Sequence, residues 1–306
     1  MRTFAVISCC GAVLAGAPSA AVAQGAPPVG VRAAGMAGAF VGVADDASAV
    51  YWNPAGLASG AFFSLVLDRA TLQPPAGQNT PDLTGTFIAV GTPPLGVTYY
   101  RTTFPVGSGI TGPNEGKSTS GSEMLFAHQF GVTVDQSLHD GLAIGATIKA
   151  IRGVTPGASK MAFDADIGVM ASGAAARAGL VVRNAFEPEL ASSGGPVRLQ
   201  RSVRGGVSLL IKEMVRVAAD ADFTTATVPS GRWRDAAVGA EVHPFSRAWV
   251  RGGIHWNTAG GPLEAAPIVA VGGSAAVYGS LLVDAQVSVG SENGNRGWGA
   301  GLRYNF

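Results

Sequence analysis

Apolar and polar residues alternate along most of the chain after residue 60, which is the period expected of β-strands with two different faces. In 281–289 the odd positions are leucine, valine or alanine, and the even positions include Asp284. The same period recurs in 215–224 and 296–306. The apolar faces run unbroken for about ten residues, enough for a tilted strand to cross a bilayer. The pattern predicts membrane-spanning strands whose apolar side chains point outward.

The connections between the predicted strands alternate in length. Long polar segments at 71–84, 105–122 and 185–198 follow the first, third and seventh strands, whereas short turns follow the even-numbered ones. Long external loops and short periplasmic turns are typical of outer-membrane barrels, and a soluble sandwich has no reason to keep this parity. The chain is therefore predicted to be all-β, an antiparallel transmembrane β-barrel of about 14 strands. The predicted strands lie near 61–70, 85–92, 95–104, 123–136, 141–152, 160–171, 174–184, 199–211, 214–225, 232–242, 247–257, 266–277, 280–290 and 296–306.

Composition agrees with this class. The chain of 306 residues contains 44 glycines and 13% charged residues, and its mean hydropathy is +0.28. No apolar stretch after residue 23 is long enough for a transmembrane helix. The net charge of +1 gives no argument for a nucleic-acid partner. The terminal Phe306 closes an alternating strand and resembles the signal that the outer-membrane assembly machinery recognises.

The first 23 residues are predicted to be a secretory signal peptide. Arg2 is followed by an apolar stretch, and Ala21-Val22-Ala23 offers a cleavage site before Gln24. A lipoprotein signal around Cys9 is the weaker alternative, because the apolar stretch before it is too short. Both cysteines of the chain lie in this segment, so no disulfide or cysteine metal site is expected in the mature protein.

Signals for an enzyme or a cofactor are weak. Gly107–Gly112 matches the dinucleotide-binding pattern, but Pro113 follows where a helix is required. Gly116-Lys117-Ser118 lacks the earlier glycine of a phosphate-binding loop. No catalytic residues, cofactor or metal site are therefore predicted, although a hydrolase assembled across strands stays open. The four histidines are scattered and do not form a metal-ligand pair by spacing: His128, His139, His243 and His255.

A set of charged residues falls on the polar faces of the predicted strands and should point into the lumen. They could make a wet, ion-conducting lumen, or they could pair with one another and with a plug. The near-balance of the two signs favours pairing. The predicted lumen-facing charges are Asp68, Lys149, Asp164, Asp166, Arg204, Arg216, Asp220, Asp222, Glu241, Arg251, Asp284 and Arg303.

Residues 24–60 precede the first strand and are too many for a simple leader. Within them, the run DDASAVYWNPAGL predicts one short helix, capped by Asp45 or Asp46 and ended by Pro54. A compact, apolar segment of this kind could fold back into the barrel as a plug. The predicted organisation is a signal peptide at 1–23, an N-terminal plug at 24–60 and a barrel at 61–306.

The stretch from Arg32 to Leu57 resembles the N-terminal signature of the FadL-type superfamily of outer-membrane long-chain fatty-acid transporters (OMPP1/FadL/TodX). The form Y-W-N-P-A-G-L is closest to the PorV-like branch, which is associated with type IX secretion. The resemblance implies that the plug is a hatch. The hatch residues carried over by motif match are Asp45, Asp46, Tyr51, Trp52, Asn53, Pro54 and Ala55.

The resemblance implies an integral protein of the Gram-negative outer membrane that transports hydrophobic compounds such as long-chain fatty acids. A hatch would gate the channel, and the ligand would leave sideways through the barrel wall. The implied partners are outer-membrane lipids, a hydrophobic small molecule and, through Phe306, the assembly machinery. The alternative is a PorV-like protein that binds or shuttles secreted cargo. A general porin with an open lumen is the third hypothesis.

Overall fold

The computed structural model of the protein describes residues 29–73, 81–106, 123–191, 196–228, 231–260, 267–290 and 295–306. The predicted signal peptide and the two glycine motifs near residues 107 and 116 lie outside these residues. No helix in the described ranges is long and apolar enough to cross a membrane.

Eighteen strands are present in the described residues, and fourteen of them form the barrel. Four short strands form two additional hairpins, Glu189–Leu190 (β8) with Val197–Arg198 (β9), and Ala226–Val228 (β12) with Gly231–Trp233 (β13). The barrel strands are Ser64–Gln73 (β1), Leu83–Thr92 (β2), Leu95–Val106 (β3), Glu123–His139 (β4), Leu142–Thr155 (β5), Ala158–Ser172 (β6), Ala176–Arg183 (β7), Ser202–Ile211 (β10), Val215–Asp222 (β11), Asp235–Phe245 (β14), Ala248–Asn257 (β15), Ile268–Tyr278 (β16), Leu281–Gly290 (β17) and Arg296–Asn305 (β18).

The barrel is closed and antiparallel. Every barrel strand pairs with the barrel strands that come before and after it in the chain, and β1 pairs with β18 from Ser64↔Asn305 to Gln73↔Arg296. Closure pairs the first strand with the last, so no strand is left at a free edge. The seam between β6 and β7 is the least complete, because β6 pairs with β7 only over Ile167–Ser172. The predicted all-β class and the count of fourteen barrel strands are confirmed, with strand ends that differ by a few residues.

The two ends of the barrel differ in their connections. The loop side carries the long connections, such as 74–82 and 107–122, whereas the turn side carries short turns such as Pro93-Pro94 and 279–280. The link between β5 and β6 is the exception, because only residues 156–157 join these strands on the loop side. The terms loop side and turn side are used for these two ends below.

Side chains alternate across the wall as predicted. On β17, Val287 is 52% exposed on the outside, whereas Asp284 is 2% exposed on the inside. The outer face is a belt of valine, isoleucine, leucine and phenylalanine, including Phe130, Ile148 and Phe163. Alternation of this kind separates an apolar outer face from a polar inner face, which is why the sequence pattern predicts the inward set.

The N-terminal part of the described chain contains two short α-helices, Val31–Gly35 (α1) and Ala49–Trp52 (α2), and a 3-10 helix at Pro54–Ser59. The sequence predicted α2 and its end before Pro54 but missed α1. The predicted capping is wrong in detail, because the N-cap of α2 is Ser48, without a side-chain capping bond. Asp46 instead accepts hydrogen bonds from the amide and hydroxyl of Ser48 in the turn before the helix.

Candidate functional site

Residues 29–60, here called the inner segment, lie inside the barrel. Their side chains form the main apolar cluster of the described chain, and Phe40, Val43 and Ala55 are fully buried. This cluster also includes inward side chains of the wall, such as Phe87 and Val181. The inner segment therefore fills the space that a porin would leave to water.

Glycines in the wall let the inner segment approach closely. A Cβ atom at Gly145 would lie 2.4 Å from the carbonyl carbon of Pro54, and one at Gly168 would lie 2.1 Å from Oδ1 of Asn53. No side chain fits at either position without moving the backbone or the buried amide. Asn53 itself donates from Nδ2 to the carbonyls of Val41 and Val169, at 3.3 and 3.0 Å. The Asn53-Pro54 pair thus connects the inner segment to β5 and β6.

Backbone groups of the inner segment are satisfied by side chains of the wall. Asp68 accepts the amide hydrogen of Val31 at 2.7 Å. Asp220 accepts the amides of Phe40 and Val41, both at 2.8 Å, through one carboxylate oxygen. A short irregular segment can be buried only when its polar groups are paired in this way. Several of the predicted lumen-facing charges therefore act as hydrogen-bond partners of the inner segment.

The largest ionic network joins the inner segment to the wall at the turn side. Arg32 contacts Asp45 at 2.5 Å, Asp46 at 2.9 Å and Glu241 at 2.8 Å. Asp45 also contacts Arg216 at 2.6 Å. Three carboxylates thus share one buried guanidinium, which suits its planar, multidentate geometry.

The network continues around the wall. Glu241 pairs with Arg251 at 2.6 Å, Arg251 with Asp284 at 3.3 Å, and Asp284 with Arg303 at 3.0 Å. Ser274 lies between Arg251 and Asp284 and hydrogen-bonds to both. Arg251 is the largest fully buried side chain of the described residues. A buried charge of this kind is tolerable only with such complete pairing.

These ion pairs shift the pKa values of Asp45 and Arg32 in the inner segment. Burial alone would raise the pKa of the Asp45 carboxyl, but Arg32 and Arg216 outweigh burial and hold this pKa well below its ordinary value. Burial would likewise lower the pKa of Arg32, yet Asp45 and Glu241 raise it well above the ordinary value. Both groups therefore remain charged at neutral pH.

Two further clusters lie nearer the loop side. Arg204 contacts Asp235 at 2.8 Å, Asp222 at 3.1 Å and Asp220 at 3.4 Å. Its guanidinium also donates to the carbonyl of Gly38, in the inner segment. This cluster holds the middle of the inner segment as the first network holds Arg32.

The other cluster is centred on Lys149, whose Nζ lies 2.7 Å from Asp166 and 3.1 Å from Asp164. These carboxylates also accept amide hydrogens from the chain after β7, Asp166 from Asn184 and Asp164 from Phe186. All twelve charged residues predicted to face the lumen thus point inward. All take part in ion pairs or hydrogen bonds, and most of these contacts are with one another or with the inner segment.

The residues of the predicted hatch motif lie among these groups. Trp52 is 6% exposed and Asn53 is fully buried, while Tyr51 packs edge-on against Trp52 and Tyr100. Arg183 lies over the rings of Tyr51 and Trp52, 4.5 and 5.1 Å from their centroids. The stretch that resembles PorV-like proteins therefore presents little surface to a macromolecular partner.

Sequence reasoning missed several residues that complete the site. Arg32 and Asp235 each belong to a network whose other members were predicted, and Arg183 contacts the motif aromatics. Arg32 lies within the recognised motif, so its charge in an otherwise apolar stretch was an available signal. Asp235 and Arg183 lie at strand ends, where alternation is weakest.

A second apolar cluster occupies the loop side of the lumen. Leu190, in the hairpin of β8 and β9, is fully buried against Leu125 and Ile151 of the wall, together with Leu199. The hairpin thus folds inward over the mouth of the barrel. At the opposite end, a polar cavity of about 560 Å³ lies between the inner segment and the turn side, beside Arg32.

The histidines remain separate. His255 pairs with Asp235 at 2.9 Å, and His128 hydrogen-bonds to Tyr99 on the outside of the barrel. Within the described residues, no three side chains of histidine, cysteine, aspartate or glutamate are grouped so that they could hold a metal ion.

Solved structures with a similar fold are named as a channel, a FadL homologue and a transporter. The CymD monoaromatic hydrocarbon channel has a TM-score of 0.65 at 12% identity, covering 92% of this chain and 97% of that one. A Pseudomonas aeruginosa FadL homologue gives 0.63 at 12% identity, covering 92% and 99% of the two chains. The P. putida toluene transporter TodX gives 0.61 at 11% identity, covering 89% and 98%.

At these identities the likeness shows the fold. The FadL-type fold that the N-terminal resemblance implied is therefore confirmed. Neither a protein-family model nor a curated protein matches the sequence.

Proposed function

We propose that this protein is an integral channel of the Gram-negative outer membrane that transports hydrophobic small compounds and is closed by its N-terminal hatch. The observation that carries the proposal is the inner segment, a mostly apolar plug fixed by ion pairs inside a fourteen-stranded barrel. The barrel has the fold of channels named for hydrocarbons. Such compounds partition into apolar surfaces and not into water, so an open aqueous pore would not favour their passage.

The entry route in this proposal begins at the loop-side apolar cluster around Leu190. Its apolar contacts are not directional, so a hydrophobic ligand can replace them at little cost. Deeper in the lumen, Tyr100 lies between Phe87 and Tyr51, with ring centroids 6.2 and 6.1 Å away. These aromatic side chains lead from the wall to the hatch residue Trp52 and offer a path for a flat or chain-like apolar ligand.

Arg183 is the residue that would separate fatty acids from neutral hydrocarbons. It is the one inward arginine of the described barrel strands without a carboxylate within 4 Å, and it donates instead to the carbonyls of Tyr51 and Trp52. A fatty-acid carboxylate placed here would gain a charge-assisted hydrogen bond. A neutral ring would gain only the contact with the aromatic side chains.

Binding to purified protein tests the ligand class. We expect Arg183→Met to weaken binding of a long-chain fatty acid by about ten-fold, the effect of one such hydrogen bond. Binding of toluene should stay within about two-fold of wild type, because it does not use the charge. Equal weakening for both ligands would reject the carboxylate site, and no binding of either ligand would reject the channel function.

Gating by the hatch requires the inner segment to move during transport. Ala47 in the inner segment and Gly91 in β2 are placed so that their Cβ atoms would lie 3.8 Å apart, the usual separation across a disulfide. We expect oxidised Ala47→Cys/Gly91→Cys protein to lose uptake and to regain it on reduction. Each single variant is the matched control, and uptake by the oxidised double variant would contradict hatch gating.

Lateral exit would be easiest at the seam between β6 and β7. β6 pairs with β5 along almost its whole length but with β7 only over Ile167–Ser172. Beyond this point the seam is closed by the amide bonds to the Asp164 and Asp166 carboxylates and by one backbone bond, from Ala185 to Ala165. Side-chain bonds can open without separating a continuous strand ladder.

A disulfide across this seam tests the exit. Oxidation of an Ala165→Cys/Ala185→Cys variant should block uptake, and reduction should restore it. The control is Val169→Cys/Leu180→Cys, across the part of the same seam that is already paired. Unchanged uptake in the first variant, with the bond shown to have formed, would place the exit elsewhere.

A further inference from the structure

A row of basic side chains lies on the outside of the barrel, on β1 to β5. Cross-strand partners run from Arg69 to Thr86, then to Arg101, His128 and Arg152. Adjacent strands lie about 4.8 Å apart, and this row crosses four neighbouring strand pairs along the hydrogen-bonding direction of the sheet. Arg69, Arg101, His128 and Arg152 are called the basic row below.

The basic row lies next to apolar side chains of the outer face. On the turn side of the row, the outward residues are apolar and well exposed, as with Val97 at 58%, Phe130 at 58% and Ile148 at 68%. At the level of the row, β6 continues with Met161, the register partner of Arg152. Met161 is 59% exposed, so the arginines of the row lie next to apolar outward side chains.

Within the described part of the chain, the arginines of the basic row have no carboxylate partner. Arg69 donates to the hydroxyl of Thr86 at 3.0 Å, and Arg152 donates to that of Ser159 at 3.3 Å. The Arg101 guanidinium lies over the ring of Phe126, 5.4 Å from its centroid. Among the side chains that the structure describes, no carboxylate lies within 4 Å of these arginines, whereas the inward arginines are mostly paired with acids.

An unpaired guanidinium at the edge of a lipid belt requires an anion or water, because its charge is costly to leave unsolvated in lipid. Arginines favour phosphate, which they bind through two parallel hydrogen bonds. The apolar residues next to the row would at the same time contact hydrocarbon chains. The surface therefore matches an amphiphile with an anionic phosphate head group and acyl chains.

We propose that the loop-side rim of β1 to β5 binds the phosphate head group of an anionic lipid in the outer leaflet, between Arg101 and Arg152. The acyl chains lie along Phe130 and Ile148. The inference rests on the proposed outer-membrane location but not on the transported ligand. The bound lipid would sit on the outside of the wall, separate from the route through the lumen.

Native mass spectrometry of the detergent-purified full barrel tests this site with three probes: lipid A carrying two phosphates, the same lipid after removal of its phosphates, and inorganic phosphate. We expect the phosphorylated lipid to bind the wild type. Arg101→Gln/Arg152→Gln should lower its affinity about ten-fold or more, since it removes at least one charge-assisted contact. The matched control is Arg296→Gln, an outward, exposed arginine on β18 that lies outside the row.

The outcomes separate the possibilities. Equal binding of the dephosphorylated lipid would show that only the apolar belt is recognised, and equally tight inorganic phosphate would show an ion site; either result overturns the proposal. So does undiminished binding by the double variant, or an equal loss in Arg296→Gln. Heat-dependent gel migration verifies that each variant is a folded barrel. A wild type that fails this check, or that is not found in the outer membrane, would reject the proposed function instead.

Discussion

The two ends of the lumen are closed by different kinds of interaction. At the turn side, Arg32 and Asp45 of the inner segment belong to a network of ion pairs that continues through Glu241 into the wall. At the loop side, the hairpin residue Leu190 packs against Leu125 in a cluster of apolar side chains. The first closure is polar and directional, and the second is apolar and adaptable.

Under the proposed function, this difference would let one barrel be both sealed and selective. Ion pairs with fixed partners hold a segment in one position, because moving it would leave buried charges unpaired. Apolar contacts can be exchanged for those of a hydrophobic ligand without such a penalty. Ligand capture is therefore expected at the loop side, and control of the closed state is expected at the turn side.

The largest effect is expected from breaking the turn-side closure at Arg32. Arg32→Met leaves Asp45, Asp46 and Glu241 without their shared partner, and loss of one member of a buried network costs about 3–5 kcal/mol. We expect the inner segment to be displaced and a steady conductance to appear in planar bilayers. Arg247→Met is the control, since Arg247 borders the same cavity. Equal behaviour of the two variants would contradict the role given to the network.

A smaller effect is expected from adding a methyl group where the wall contacts the Asn53-Pro54 pair. Gly145→Ala would place a Cβ 2.4 Å from the Pro54 backbone, and overpacking of this kind costs about 1–3 kcal/mol. The midpoint of thermal unfolding in detergent should fall. Gly252→Ala is matched to it, because the nearest atom to its Cβ would be 3.9 Å away. An unchanged midpoint in both variants would show that the inner segment can move to accommodate the added methyl group.

Lowering the pH should weaken the turn-side closure, whereas raising it should not. The pKa of Asp45 is lower in the folded protein than its ordinary value near 4, so its ion pairs add stability above that value and lose it as the pH falls toward the folded pKa. Conductance should therefore stay absent from pH 7 to about 5 and appear only below about 4. Asp45→Asn should remove the part of this pH dependence that Asp45 causes. Opening at mildly alkaline pH instead would contradict the assignment.

The smallest effect on the closed state is expected at the loop side, where a substitution should change ligand affinity alone. Leu190→Ser places a hydroxyl in the apolar cluster and should weaken binding of a hydrophobic ligand by roughly ten-fold, equivalent to about 1.4 kcal/mol. The closed state should persist, because the ion pairs are untouched. The control is Phe186→Ser, because Phe186 lies just before the hairpin and its side chain is 71% exposed. A conductance in Leu190→Ser would show that the hairpin also seals the lumen.

Much of the wall could be predicted from the sequence, and the reason is physical. A strand between lipid and a polar lumen must alternate, so residues such as Asp284 and Val287 reveal both the strand and its orientation. The same argument places Arg251 inside, although not its partners. Partners depend on register and on the inner segment, and Arg32 lies 209 positions from Glu241 in the chain.

The missed elements have weak local signals. Helix α1, Val31–Gly35, has a glycine at its N-cap and no side-chain capping bond, so it is stabilised by its burial in the barrel. The hairpin of β8 and β9 has two residues in each strand, too few for a period to appear. Its position depends on the burial of Leu190, which no local pattern reveals.

The central claim is that the inner segment closes an otherwise open barrel, and single-channel recording tests it most directly. The full mature chain should give no steady conductance in a planar bilayer, whereas a variant lacking residues 24–60 that still shows heat-dependent gel migration should give a stable, ohmic one. A steady conductance in the full chain, or none in the folded deletion variant, would contradict the account.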